Sequence, residues 1–166
     1  MTSSQTQGIG RDNSSRGFAP VGVALLAVVV LAVLHHTDHV LRVDHSGWPF
    51  KQEFSPFTIS LIVYPAVLAV FLLRNRPWLR VGLMAAVFVA TQAAHVLVET
   101  PADQHGVWAT NMSSVDDTLG DPNLLDIESE ALGFVAAGIS ILLSIAMITA
   151  LLLLIQDARR QKRVPA

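Results

Sequence analysis

Apolar and polar positions alternate along the chain in long blocks. Four apolar stretches, near residues 18–41, 57–73, 79–98 and 131–156, are separated by segments rich in charge, proline or glycine. A bilayer hydrocarbon core of about 30 Å takes roughly 20 helical residues to cross. Each stretch reaches or approaches that length, so the pattern predicts an all-α, four-helix transmembrane bundle. The second stretch is the shortest, and Pro65 within it predicts a kink, because proline removes one helical donor and crowds the preceding turn. The first follows Arg11 and Arg16 in the manner of a signal peptide. No small-x-small cleavage site follows it, and its apolar run continues into histidines, so a retained helix is expected.

The polar segments sort by charge. Nine of the eleven basic residues lie in the N-terminal tail, the connection R-N-R-P-W-L-R (Arg74, Arg76, Arg80) and the C-terminal tail (Arg159, Arg160, Lys162, Arg163). Four alternating helices put all three on one side, which the positive-inside rule makes cytoplasmic together with both termini. The other side holds most of the thirteen carboxylates and all six histidines: His35, His36, His39, His45, His95 and His105. Trp48, Phe50 and Phe54 there, and Trp78 opposite, suit the aromatic belts of the two interfaces. The expected location is the plasma (inner) membrane, multi-pass, with the histidine-rich face extracytoplasmic.

This organisation gives a disordered cytoplasmic tail over 1–16, one transmembrane domain over 17–157 and a basic tail over 158–166. Asp121-Pro122 has the form of an N-cap and a first-turn proline, so the last helix is expected to start either near 122 or near 131. The stretch from Thr100 to about Asp121 reads as an acidic loop. A short echo, Asp38-His39-Val40-Leu41 against Ala94-His95-Val96-Leu97, raises the possibility of two related helical hairpins.

Composition agrees and narrows the chemistry. Of 166 residues, 52% are hydrophobic and 14% charged, and the mean hydropathy is +0.50, which marks an integral membrane protein. There is no cysteine, so disulfides, thiolate metal sites, Fe–S clusters and thiol nucleophiles are excluded together. No phosphate-binding glycine loop or H-E-x-x-H motif occurs, and no basic patch marks a nucleic-acid surface. Asn111-Met112-Ser113 has the form of a glycosylation acceptor.

The candidate chemistry lies where the first stretch ends, in L-H-H-T-D-H-V-L-R (34–42). At about 100° per residue, His35, His39 and Arg42 share one helical face, Asp38 lies beside them, and His36 points away. On the third helix Thr91, Gln92, His95 and Glu99 share a face. The two helices run in the same direction, so two His-x3-[His/Glu] pairs come to similar depth. Three imidazoles and one carboxylate (His35, His39, His95, Glu99) form a plausible ligand set for a transition metal such as Zn, Fe or Cu. Asp38 or Gln92 could orient a ligand, and Ser60, Tyr64, Glu128 or Glu130 could complete the shell. If a reaction is catalysed, a metal-activated water or bound oxygen would carry it, with Asp38 or Glu128 as base.

Two alternatives stand beside the metal site. One is a bis-histidine haem on His39 and His95, with Ala90, Ala93, Ala94, Gly133, Ala136, Ala137 and Gly138 making room; the same small residues also suit close helix packing. The other is a non-catalytic accessory or assembly subunit of a larger membrane complex, or a homo-oligomer, whose histidines are structural. The expected partners are the bilayer and other membrane subunits. Transport is disfavoured, since Ser140, Ser144 and Thr149 are the few polar residues at mid-membrane depth.

Overall fold

The computed structural model describes residues 14–42, 55–112 and 122–163. His45, the belt residues Trp48, Phe50 and Phe54, and residues 113–121 of the acidic stretch lie outside them, as do the first thirteen residues of the N-terminal tail. Among the described residues every regular element is helical: α1 (Ser14–Arg42), α2 (Pro56–Ser60), α3 (Val63–Leu72), α4 (Pro77–Leu97), α5 (Pro101–Thr110) and α6 (Glu130–Arg163). Three spans are long and apolar enough to cross a membrane: Pro20–Arg42, Pro77–Leu97 and Glu130–Lys162.

The second apolar stretch is divided. Pro65 has no N–H to give the carbonyl of Leu61, and its ring crowds that oxygen. The Leu61 carbonyl instead accepts from the Tyr64 N–H at 3.2 Å, and Ile62 N donates to Ile59 O at 3.1 Å. These tighter i→i+3 bonds form the turn between α2 and α3, four residues before the proline. Ser55 starts α2, its hydroxyl accepting from the Thr58 N–H at 3.2 Å.

Packing follows stripes of small and branched residues. On α6 the buried positions Ala136, Ser140, Leu143, Met147, Ala150, Leu154 and Ala158 recur every three or four residues. Val21, Leu25, Val28 and Ala32 form the matching stripe on α1, with Val63, Val67 and Val70 on α3 and Met84 and Val87 on α4. Helices α1, α3, α4 and α6 touch in a closed circuit, α1 with α3, α3 with α4, α4 with α6 and α6 with α1. Ser140 contacts His35, Ser144 contacts Gln92 and Asp157 contacts Arg80, so α6 runs antiparallel to α1 and α4. The opposite faces are apolar and open. Val23, Leu26, Ile62, Val89, Phe134 and Ile145 are more than half exposed, a surface that suits lipid and would be a liability in water.

Two polar ends bound this apolar body. At one end Arg80 is buried, donating from Nε to the Val70 carbonyl at 2.8 Å and from Nη1 to Asp157 at 3.1 Å. It thereby serves an orphan carbonyl in the last turn of α3. The histidines lie at the other end. Ser140 and Asp157 are seventeen residues apart on α6, which at 1.5 Å per residue separates the ends by about 25 Å.

The stretch after Thr100 departs from the acidic loop expected there. Thr100 caps a ten-residue helix, α5, through a complete capping box: its hydroxyl accepts from the Asp103 N–H at 3.3 Å, and Asp103 accepts from the Thr100 N–H at 2.8 Å. α5 folds back on α6, and Gly133 allows the close approach: a Cβ there would stand 2.7 Å from the His105 carbonyl oxygen. Of the two expected starts for the last helix, the later agrees with Glu130. Residues 122–129 form an irregular turn because Asn123 competes for the backbone. Its Oδ1 accepts from the Leu125 and Ile127 N–H groups at 3.1 and 3.2 Å, and its Nδ2 donates to the Ile127 carbonyl at 2.7 Å. The turn also closes α1, Leu124 N donating to Leu41 O at 2.9 Å.

Candidate functional site

The histidine end is assembled by four elements. α1 supplies His35, His36, Asp38, His39 and Arg42, α4 and its joint with α5 supply His95 and Glu99, α5 supplies Gln104 and Trp108, and α6 supplies Ser140. Glu99 is fixed because it sits between the end of α4 and the Thr100 cap. Gln104 and Trp108 reach the site because i, i+4 spacing puts both on the buried face of α5.

Arg42 is the hub. It is fully buried, with Nε donating to Asp38 Oδ2 at 2.7 Å and Nη1 and Nη2 forming a fork on the two oxygens of Glu99. Asp38 Oδ1 accepts from the indole N–H of Trp108 at 2.8 Å. One guanidinium thus sits between two carboxylates, the pairing that buried charge requires. Asp38 is therefore a partner of Arg42 and Trp108, rather than an orienting group for a histidine.

A chain of polar contacts leads from this hub into the helix circuit. Arg42 Nη2 lies 3.4 Å from His39 Nδ1. His39 Nε2 lies 3.0 Å from His35 Nε2 and 3.6 Å from Glu99 Oε2. His35 Nδ1 lies 3.0 Å from Ser140 Oγ, whose hydroxyl donates to Gln104 Oε1 at 2.6 Å. Since Ser140 gives its proton to Gln104, it accepts from His35, which places that ring's proton on Nδ1 and its lone pair on Nε2, toward His39. His95 stacks on His35 with ring centroids 5.0 Å apart, and its nitrogens make no hydrogen bond to a described residue.

His36 turns to the other wall, as its position on the helix suggested. Its Nδ1 lies 2.8 Å from the Ala32 carbonyl and 2.9 Å from the Tyr64 hydroxyl, and its Nε2 lies 2.8 Å from Ser60 Oγ. Between these walls is a cavity of about 270 Å³, lined at its polar end by His35, His36, His39, His95, Glu99 and Gln104.

The structure thus gathers His35, His39, His95 and Glu99 at one place. It leaves Glu128 exposed in the 122–129 turn and Glu130 exposed at the start of α6, outside the cavity lining. Gln92 pairs instead with Ser144, 3.0 Å away. The Asn111 amide donates to Asp126 at 2.8 Å, so it is engaged within the fold. Among the described residues no group of three or more His, Asp or Glu side chains forms a ready-made metal position. Gln104, Trp108 and Ser140 were not singled out as site residues by sequence reading. A Thr100-Pro101-x-Asp103 capping signature, not used in the sequence reading, would have marked the start of α5, and helical spacing from it would have placed Gln104 and Trp108 together.

No protein-family model matches the chain, and no curated protein or solved structure matches it. The class that fold and site define is a helical protein with three membrane-length spans and a buried histidine–carboxylate–arginine cluster at one end.

Proposed function

We propose that the cluster is a transition-metal site in a small integral membrane protein, open to the extracytoplasmic side. The observation that carries this reading is the convergence of His35 Nε2 and His39 Nε2 at 3.0 Å. Two nitrogens bound to one metal at 2.0–2.1 Å, at angles between square and tetrahedral, lie roughly 2.9–3.4 Å apart. Ser140 holds His35 in the tautomer whose Nε2 can bind, and His95 offers the nearest imidazole with unspent nitrogens. Glu99 can become a ligand only by giving up part of its fork with Arg42, so the shell is two or three imidazoles with a position left to water or substrate. That open position is what a metal-dependent membrane enzyme would use. Zinc, iron or copper all suit imidazole. An ion is favoured over haem, because His35 touches both His39 and His95 and occupies the neighbourhood a macrocycle would need.

Sidedness rests on the charge pattern. The arginine end carries Arg74, Arg76, Arg159, Arg160 and Lys162, which favours the cytoplasm. The inner membrane is proposed on the same ground.

A second reading has its own support. The chain Arg42–His39–His35–Ser140–Gln104 can be satisfied without any ion, each member donating to the next. In that reading the cluster is a structural polar core in an accessory subunit. Titration of Co²⁺ into chelator-treated protein in detergent separates the two. The metal reading expects visible d–d absorption saturating near one equivalent and lost in His35→Ala and His39→Ala. A featureless spectrum up to ten equivalents would favour the structural core.

A further inference from the structure

The cavity beside the cluster has chemistry of its own. Its polar end holds two groups with unspent hydrogen-bonding capacity. Gln104 is buried to 1% exposure, its Oε1 is occupied by Ser140, and its Nε2 has no partner. His95 likewise pairs with no described residue through its nitrogens. A donor left unmatched in a dry setting, as Gln104 Nε2 is, is costly, and an acceptor supplied from outside would remove that cost; His95 is only half-buried and adds a second polar contact. The rest of the wall is apolar, with Ala90, Ala94, Val63 and Met147 among the lining residues. The rim is apolar too. Ile59 and Ile62 line the cavity and are 61% and 64% exposed, so the mouth opens on the face that meets lipid.

Three features constrain the occupant. An apolar rim admits a molecule dissolved in the bilayer rather than in water. A volume of about 270 Å³ holds one substituted ring, and a cavity of ~150 Å³ is already enough for benzene. The charges already present (Asp38 and Glu99 against Arg42) sum to about minus one, and Arg42 spends its donors on the two carboxylates and His39. An anionic head would meet a like charge, and no lysine or arginine is among the described residues that line the cavity.

We propose that this cavity binds a neutral, lipid-soluble carbonyl compound of the quinone type, its ring in the cavity with one oxygen toward Gln104 Nε2 and His95, and its tail leaving between Ile59 and Ile62 into the bilayer. The inference rests on the membrane placement proposed above, but not on a bound metal, since Gln104 is outside the histidine ligand set; His95 is the one residue the two sites would share, and metal-free protein leaves it to the occupant. Ring and metal sites are adjacent, so an occupant oxygen also stands near the open metal position.

The test uses full-length, chelator-treated protein in detergent micelles, with 2-decyl-1,4-benzoquinone as the probe and decylbenzene and decanoate as controls for the tail and for charge. Thermal shift and quenching of tryptophan fluorescence are the readouts, and elemental analysis of the same sample reports its metal content. The quinone should bind saturably at about one equivalent in metal-free protein, and each control at least tenfold more weakly. Ala94→Phe should fill the cavity and abolish binding. Gln104→Met should weaken it roughly threefold to tenfold, the loss of one hydrogen bond. Equal binding of decylbenzene would reduce the cavity to an apolar groove, and equal binding of decanoate would make its ligand an anion; either overturns the proposal. So would unchanged quinone binding in a folded Ala94→Phe variant, or in Gln104→Met. Binding by metal-free protein that also fails to take up Co²⁺ would sink the metal reading alone. Co²⁺ uptake without quinone binding would sink this one alone.

Discussion

Replacing Arg42 with methionine removes a fully buried guanidinium and keeps most of the side chain's apolar length. Three charge-assisted hydrogen bonds disappear, one to Asp38 and two to Glu99. At about 1.5–3 kcal/mol each they would sum to ~4.5–9 kcal/mol if the carboxylates stayed ionised and dry. They need not: Glu99 or Asp38 can take up a proton, and Trp108 still donates to Asp38. Stranding one partner of a buried ion pair costs about 3–5 kcal/mol, the range expected here. Reversible unfolding of the purified protein in mixed micelles, followed by far-UV circular dichroism against SDS fraction, gives the free-energy difference. The double variant Arg42→Met/Glu99→Gln should lose less than the sum of its single variants by at least 1 kcal/mol, because the second change removes the charge the first one strands. An Arg42→Met cost below about 1 kcal/mol, or strict additivity in the double variant, would refute the placement of Arg42 between two ionised carboxylates.

Other perturbations follow from single contacts. Gly133→Ala puts a Cβ 2.7 Å from the backbone oxygen of His105, which cannot swing aside, so it should destabilise by about 1–3 kcal/mol; Gly138→Ala, with nothing within 4 Å, should be neutral or stabilising by up to ~1 kcal/mol in the same unfolding assay. Ser140→Ala should free His35 to change tautomer, lowering Co²⁺ affinity about 10–100-fold, and should cost about 1–3 kcal/mol in the unfolding assay because buried Gln104 and His35 lose their shared partner. The chain has no native cysteine, so single cysteines at the exposed positions Thr110 and Lys162 report sidedness cleanly. In intact cells the first should react with a membrane-impermeant maleimide and the second only after lysis; the reverse pattern would invert the proposed orientation.

What the sequence disclosed depended on how local each signal was. The apolar blocks and the i, i+4 spacing of His35 and His39 are local, and they locate the long helices and the histidine face. The inward turn of Arg42 is local too, since it shares that face. Pro65 announced a disturbance, but its consequence is a full break at Leu61–Ile62, set by the Leu61 carbonyl turning to Tyr64. The polar partners of the cluster were harder to see because they are distant in sequence: Trp108 meets Asp38 across seventy positions, and Ser140 meets His35 across 105. Glu128 illustrates the converse error. A helix beginning near 122 would have aligned it with the site, whereas Asn123 ties that segment into a turn and leaves Glu128 exposed.

The metal proposal stands on the convergence of His35 Nε2 and His39 Nε2 at 3.0 Å. Elemental analysis of detergent-purified wild type alongside His39→Ala and His95→Ala tests it most directly. About one transition-metal ion per chain is expected in the wild type, none retained by His39→Ala, and weaker retention by His95→Ala. A wild type free of stoichiometric metal, or a full complement surviving His39→Ala, would contradict it.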